Sequence, residues 1–176
     1  MNYRIETLIS RAEVEKRIKE LAKKIESEYK NKDLICVGLL KGSVMFLSDL
    51  IKEIDLPLQI DFMNVSSYGD ETTTSGNVKI LKDTDLDVNG KNVLIIEDII
   101  DTGITLEYVL AMFRAKGVSS VKVCTLLSKP ERRKVKVFVD YIGFEIPDKF
   151  VVGYGLDYTQ KYRNLPYIGA VVFEEN

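Results

Sequence analysis

Apolar residues follow two rhythms along this chain. From Val14 to Ile25 they recur every three or four positions (Val14, Ile18, Leu21, Ala22, Ile25), the period of a helix with one buried face. Ser10 and Glu13 have the spacing of a capping box, so a helix is predicted from there to about Tyr29. Elsewhere the apolar residues do not alternate. Leu34 to Leu40 and Val93 to Ile96 are unbroken runs, as expected of strands buried on both faces, and Val121 to Leu127 reads as another buried strand. Helical spacing returns at Leu106, Val109, Leu110 and Phe113, with Gly117 placed to stop that helix, and a further helix is predicted from Ser43 to Glu53. Leu58 to Ser67 reads as a strand and Val135 to Ile146 as one or two short strands around Gly143; Phe150 to Gly153 and Ile168 to Phe173 supply the last ones. Strands alternating with helices through the first two-thirds predict an α/β fold, a mostly parallel twisted sheet flanked by helices. The later strands, with the N-terminal segment, can form a smaller lobe over the strand ends.

The run at Val93 ends in an unusual way. It passes into Glu97 and Asp98, then Asp101, then Thr102-Gly103-Ile104-Thr105, where a helix is predicted to begin. The carboxyl edge of an open α/β sheet is where ligands bind. Free N–H groups at the helix start, the helix dipole and hydroxyls from Thr102 and Thr105 favour an anion, and Gly103 permits close approach. Glu97 and Asp98 would repel a bare anion. The arrangement makes sense for a ligand that carries a phosphate together with sugar hydroxyls or a bound Mg²⁺. Leu40-Lys41-Gly42 repeats the pattern of strand end, small turn and helix start, with a cation added that suits an anionic group; by itself it reads first as an ordinary loop with a surface lysine.

Composition narrows the chemistry. The 176 residues are expected to form a single domain (1–176), with 45% hydrophobic residues and a net charge of −2. No apolar run approaches the roughly 20 residues that span a bilayer, and the N-terminus lacks the apolar core of a signal peptide, so no membrane partner and a cytoplasmic location are expected. Lysines and arginines are dispersed, which argues against a nucleic-acid partner. Cys36 and Cys124 lie in apolar runs and read as buried packing residues. Histidine is absent, so proton transfer falls to a carboxylate, Lys, Tyr or solvent, and Asp101 draws attention.

The Val93–Thr105 stretch resembles the phosphoribosyl-pyrophosphate (PRPP) signature of type I phosphoribosyltransferases. From about Ile5 onward the chain resembles the hypoxanthine-guanine members of that family. The resemblance implies a core with a small hood lobe formed from N- and C-terminal segments. It implies that Thr102, Gly103, Ile104 and Thr105 hold the 5′-phosphate, that Glu97 and Asp98 bind the ribose hydroxyls, and that Asp101 is the catalytic base. Leu40, Lys41 and Gly42 would bind pyrophosphate, often through a cis peptide, together with Arg163. Lys129 would donate to the purine 6-oxygen, Phe150 would stack on the ring, and Val151 would bond the purine edge through its backbone; Asp157 belongs to the same pocket. Mg²⁺ is the implied cofactor, with Glu97, Asp98 and Asp157 as candidate ligands. Ser66, Ser67 and Tyr68 would open a mobile lid over residues 68 to 77.

The reaction implied is phosphoribosyl transfer from PRPP to N9 of hypoxanthine or guanine, giving IMP or GMP and pyrophosphate, in a homodimer or homotetramer. Without the resemblance, Lys129 reads as a surface lysine, Phe150 as core and 68 to 77 as a solvent loop. At position 104 an isoleucine stands where some relatives carry a basic residue, which shifts phosphate binding onto backbone and hydroxyls. Two alternatives are a transferase preferring xanthine or another base, and a nucleotide-sensing regulator of the same fold.

Overall fold

Residues alternate in direction along a strand, so an unbroken apolar run must be covered on both sides. The structure, a computed structural model, describes residues 2–68 and 77–174. Its elements are β1 (Tyr3–Ile9), α1 (Arg11–Tyr29), β2 (Leu34–Leu40), α2 (Val44–Lys52), β3 (Leu58–Tyr68), β4 (Asn77–Lys82) and β5 (Asn92–Ile100). After these come α3 (Ile104–Ala115), β6 (Ser120–Ser128), a 3₁₀ turn (Pro130–Arg132), β7 (Tyr141–Glu145), β8 (Val151–Val152) and β9 (Ile168–Phe173).

A six-stranded sheet runs β4-β3-β2-β5-β6-β7, parallel throughout except for the β3–β4 pair. Cys36 of β2 and Leu94 and Ile96 of β5 face α1 and α2, packing with Val14, Leu21, Phe46 and Leu50. Their neighbours Ile35, Val37, Val93 and Ile95 face α3, against Val109, Leu110 and Phe113. Fully burying one such aliphatic side chain contributes about 1.5–3 kcal/mol, which explains why these runs admit no polar residue. Both cysteines are buried thiols, as expected.

The capping box at the start of α1 is present: the Glu13 amide donates to Ser10 Oγ (3.3 Å) and the Ser10 amide to Glu13 Oε2 (2.8 Å). At the end of α3, Gly117 adopts φ +73° and its amide donates to the Arg114 carbonyl.

The second sheet, β1-β9-β8, is antiparallel and forms the hood. It pairs the N-terminal strand β1 with the C-terminal strand β9. Ile9, Val151, Tyr154, Leu156 and Ile168 seat it on the α1/α2 side of the core. The sequence pattern did not mark β1 or β4 as strands. Both are edge strands, β1 is largely exposed, and β4 carries Lys79 and Lys82, which suit an unpaired edge. From Val135 to Ile146 only Tyr141–Glu145 is strand. Residues before it lie over the signature turn, held by the Lys134 and Val135 amides on the Thr102 carbonyl.

One boundary changes the reading of the site. β5 does not end at Ile96 but runs on to Ile100, carrying Glu97 and Asp98 within it. Pairing with β2 stops at Gly38–Ile96, whereas pairing with β6 continues to Ile100–Ser128. β2 connects through α2 to β3 on one side, and β5 through α3 to β6 on the other. The gap where β2 and β5 part is therefore the topological switch point of the sheet.

Candidate active site

Glu97 and Asp98 enter the site from β5 at that gap. Asp98 presses against the backbone of Gly42: a Cβ on Gly42 would lie 1.6 Å from Asp98 Oδ2. A side chain at position 42 would displace the Asp98 carboxylate, which rests against the Lys41-Gly42 turn of the neighbouring strand. The Leu40–Lys41 peptide is cis, as the resemblance implies. Just beyond, Ser43 is buried and its hydroxyl donates to the Leu39 carbonyl (2.6 Å), fixing the start of α2. Burial, with the Asp98 charge alongside, pushes the Glu97 carboxyl well above the usual carboxylate range.

The signature turn follows. A cavity of about 370 Å³ is lined by Leu40, Glu97, Asp101, Thr102, Gly103 and Thr105 among others. Gly103, at φ +84°, is the N-cap of α3. A side chain there would also crowd Val137 Cγ1 (3.0 Å) and Arg133 Cδ (3.1 Å), so this glycine answers both backbone geometry and packing. The Ile104 amide reaches Thr102 Oγ1 only at 3.4 Å.

Asp101 is met by groups that the sequence reading did not single out. Arg132 Nε donates to Asp101 Oδ1 (2.7 Å), and Arg133 donates to the Asp101 carbonyl (3.0 Å) and to Ser128 Oγ (2.9 Å). Arg132 also reaches Asp148 Oδ2 (3.2 Å), whose other oxygen lies 3.4 Å from Lys129 Nζ. Lys129 is buried, 8% exposed, not the surface lysine its residue type suggests. Phe150 is half-exposed, 48%, not core; its ring packs edge-on against Tyr158 (5.5 Å). Val151 points into the core while β8 pairs it with Ala170. The signal for the missed pair was the basic cluster in SKPERR, adjacent to Lys129.

The hood meets the Lys41-Gly42 turn through the loop after β8. Gly155, at φ +101°, abuts Gly42: a Cβ there would sit 1.9 Å from the Gly42 carbonyl oxygen. Arg163 donates to the Gly155 carbonyl (2.6 Å) and pairs with Asp157 (2.7 Å), whose other oxygen accepts from the Gln160 amide (2.7 Å). Asp157 thus sits beside Arg163 on the hood loop. Contacts run from Arg163 through Gly155 and Gly42 to Asp98. Among the described residues no three acidic or thiol side chains converge as a metal cluster, so Glu97, Asp98 and Asp157 do not form one ligand set within the protein. Ser66, Ser67 and Tyr68 end β3. The rest of the expected lid, residues 69–76, lies outside the described residues, as do the side chains of Ser67 and Tyr68. No helix among the described residues is long and apolar enough to cross a membrane.

Comparison with known proteins converges with this geometry. Residues 6–159 match the family described as the phosphoribosyl transferase domain. The chain is 54% identical over 164 residues to the hypoxanthine-guanine phosphoribosyltransferase of Bacillus subtilis, covering 93% of this chain and 91% of that protein. It is 52% identical to the hypoxanthine phosphoribosyltransferase of Haemophilus influenzae, with 98% of each chain covered. The crystal structure of a hypoxanthine phosphoribosyltransferase from Staphylococcus aureus superposes with a TM-score of 0.92 at 50% identity, covering 95% of this chain and 91% of that one. The fold, the strand-end constellation and these likenesses agree: the chain belongs to the phosphoribosyltransferase family, within its hypoxanthine(-guanine) branch.

Proposed function

We propose that this enzyme carries out purine salvage, the transfer of the 5-phosphoribosyl group from PRPP to N9 of hypoxanthine or guanine, with the switch-point residues dividing the work. The observation that carries the residue assignment is the convergence at the β2/β5 gap. There Asp98 rests on Gly42, Gly42 rests on Gly155, and the Thr102–Thr105 turn opens onto the same cavity as Glu97. The turn takes the 5′-phosphate on its free amides and hydroxyls. Glu97 and Asp98 take the ribose 2′- and 3′-hydroxyls. Leu40, Lys41, Gly42 and Arg163 hold pyrophosphate, the two cations meeting charge that grows as the C1′–O bond breaks.

On the purine side, Phe150 offers a half-exposed ring for stacking, and Lys129 offers donors only. An ammonium suits a 6-oxo group and meets another donor at a 6-amino group. Sites that hydrogen-bond one analogue and leave partners unpaired with another discriminate by roughly 10⁴ or more. As N9 bonds to C1′, the ring proton at N7 passes to the Asp101 carboxylate.

The oxygen-only donor set of Glu97, Asp98 and Asp157 fits Mg²⁺, which binds through one or two carboxylates plus substrate phosphates and needs no preformed protein cage. When bound, Mg²⁺ would supply charge neutralisation for the pyrophosphate; the residues that would hold it are Glu97, Asp98 or Asp157. Replacing Asp101 by Asn tests the assignment of the base. General-base catalysis contributes roughly 10²–10⁴-fold, so kcat is expected to fall by that order while the KM for PRPP changes little. An unchanged kcat removes Asp101 from the base role.

A further inference from the structure

A carboxylate has two oxygens, and a catalytic base works best when one of them is fixed by a partner while the other faces the substrate. Asp101 has this arrangement. Its Oδ1 accepts from Arg132 Nε at 2.7 Å, and Oδ2 takes no hydrogen bond among the described residues. Arg132 is itself fixed at two further points. Its Nη1 donates to Asp148 Oδ2 at 3.2 Å, and its backbone amide donates to the Lys129 carbonyl at 3.2 Å. The Lys129 amide donates in turn to the Ile100 carbonyl (2.9 Å), the residue just before Asp101. The 3₁₀ turn is therefore clipped to the end of β5, and its arginine reaches back over that end to the acid.

We propose that Arg132 is a positioning residue for phosphoribosyl transfer, orienting the Asp101 carboxylate toward the purine, with Asp148 as the strut that holds the guanidinium and the Lys129 ammonium in one relation. This rests on Asp101 being the base. The structural-only alternative is a surface ion pair, which typically contributes about 0–1 kcal/mol to stability and nothing to turnover. The two ideas differ in their consequences. Arg132 and Asp101 are both partly exposed, 45% and 41%. Losing their pair should hardly disturb the fold, yet a carboxylate freed to rotate costs rate, because misplacement by about 1 Å can lower turnover 10²-fold.

The test is a double-mutant cycle on kcat with hypoxanthine at saturating PRPP, using Arg132→Gln, Asp101→Asn and the double variant, with Tm as the check on folding. Arg132→Gln is expected to lower kcat roughly tenfold or more with the KM for PRPP little changed. In the Asp101→Asn background the same substitution should change kcat by less than about twofold, since residues that act through one another are non-additive. Arg132→Lys, which keeps a donor to Asp101, should recover part of the loss. A wild-type kcat for Arg132→Gln, or an equal loss in both backgrounds, overturns the positioning role while leaving the base assignment intact. A wild-type kcat for Asp101→Asn overturns both together.

Discussion

Replacing Gly155 by alanine would separate two effects at the seam between hood and core. Gly155 has φ +101°, a conformation that costs an L-residue about 1–3 kcal/mol. The added Cβ would also lie 1.9 Å from the Gly42 carbonyl, where real contacts stay above 3.0 Å, so the hood loop or the Lys41-Gly42 turn must retreat by about 1 Å. The first effect lowers Tm by roughly 2–12 °C, at 2–4 °C per kcal/mol for a chain of this size. The second moves Gly42 relative to Asp98, and Arg163 relative to both, which predicts a fall of about 10²-fold in kcat/KM for PRPP. Gly90 is the control. It too has a positive φ (+68°), but nothing lies within 4 Å of its would-be Cβ, so Gly90→Ala should lose stability without touching PRPP kinetics. The assay is steady-state kinetics with PRPP varied at saturating hypoxanthine, beside thermal melts of both variants. PRPP kinetics of the wild type in Gly155→Ala would refute the idea that this contact sets the pyrophosphate side of the site.

Lys129→Ala should cut kcat/KM for hypoxanthine and guanine by roughly 10²-fold or more while leaving the KM for PRPP near its original value; retention of both purine rates would show that the 6-oxo argument is wrong. Glu28 supplies a pH-dependent case remote from the site. The Lys122 ammonium and then the Tyr141 hydroxyl hold its carboxyl below its ordinary value of 4.5, against the effect of burial. A lowered carboxyl contributes stability above 4.5 that is lost as pH falls through its folded value. Glu28→Gln should therefore lower Tm at pH 7, with the gap narrowing as pH falls below 4.5; a gap that stays constant as the pH is lowered through the carboxylate range would contradict the assignment.

The parts of this molecule that were legible in its sequence are those fixed by local pattern. The β2 run is doubly buried, so Leu34–Leu40 is bounded correctly at both ends; the Ser10–Glu13 box likewise fixes the start of α1. What pattern could not give were features decided by partners distant in sequence. Glu97 and Asp98 read as following a strand because acids do not belong in a buried run, yet β6 carries the ladder past them while β2 turns away. β4 is recognisable only once β3 is there to pair with it. The same holds in the site. The signature turn could be read from adjacent residues, whereas Arg132 on Asp101 spans 31 positions and Gly155 on Gly42 joins hood to core. Phe150 looks like core by residue type, but it stands just before a two-residue strand, where its backbone carbonyl accepts from Val171 and its ring is left half-exposed.

Pyrophosphate release from PRPP and Mg²⁺, followed with each purine in turn, tests the central claim most directly, because it asks the strand-end site and the Lys129 side to act together. Hypoxanthine and guanine should both support release, with IMP and GMP as the matching products, and adenine should not. Release with adenine at a rate comparable to hypoxanthine would contradict the account.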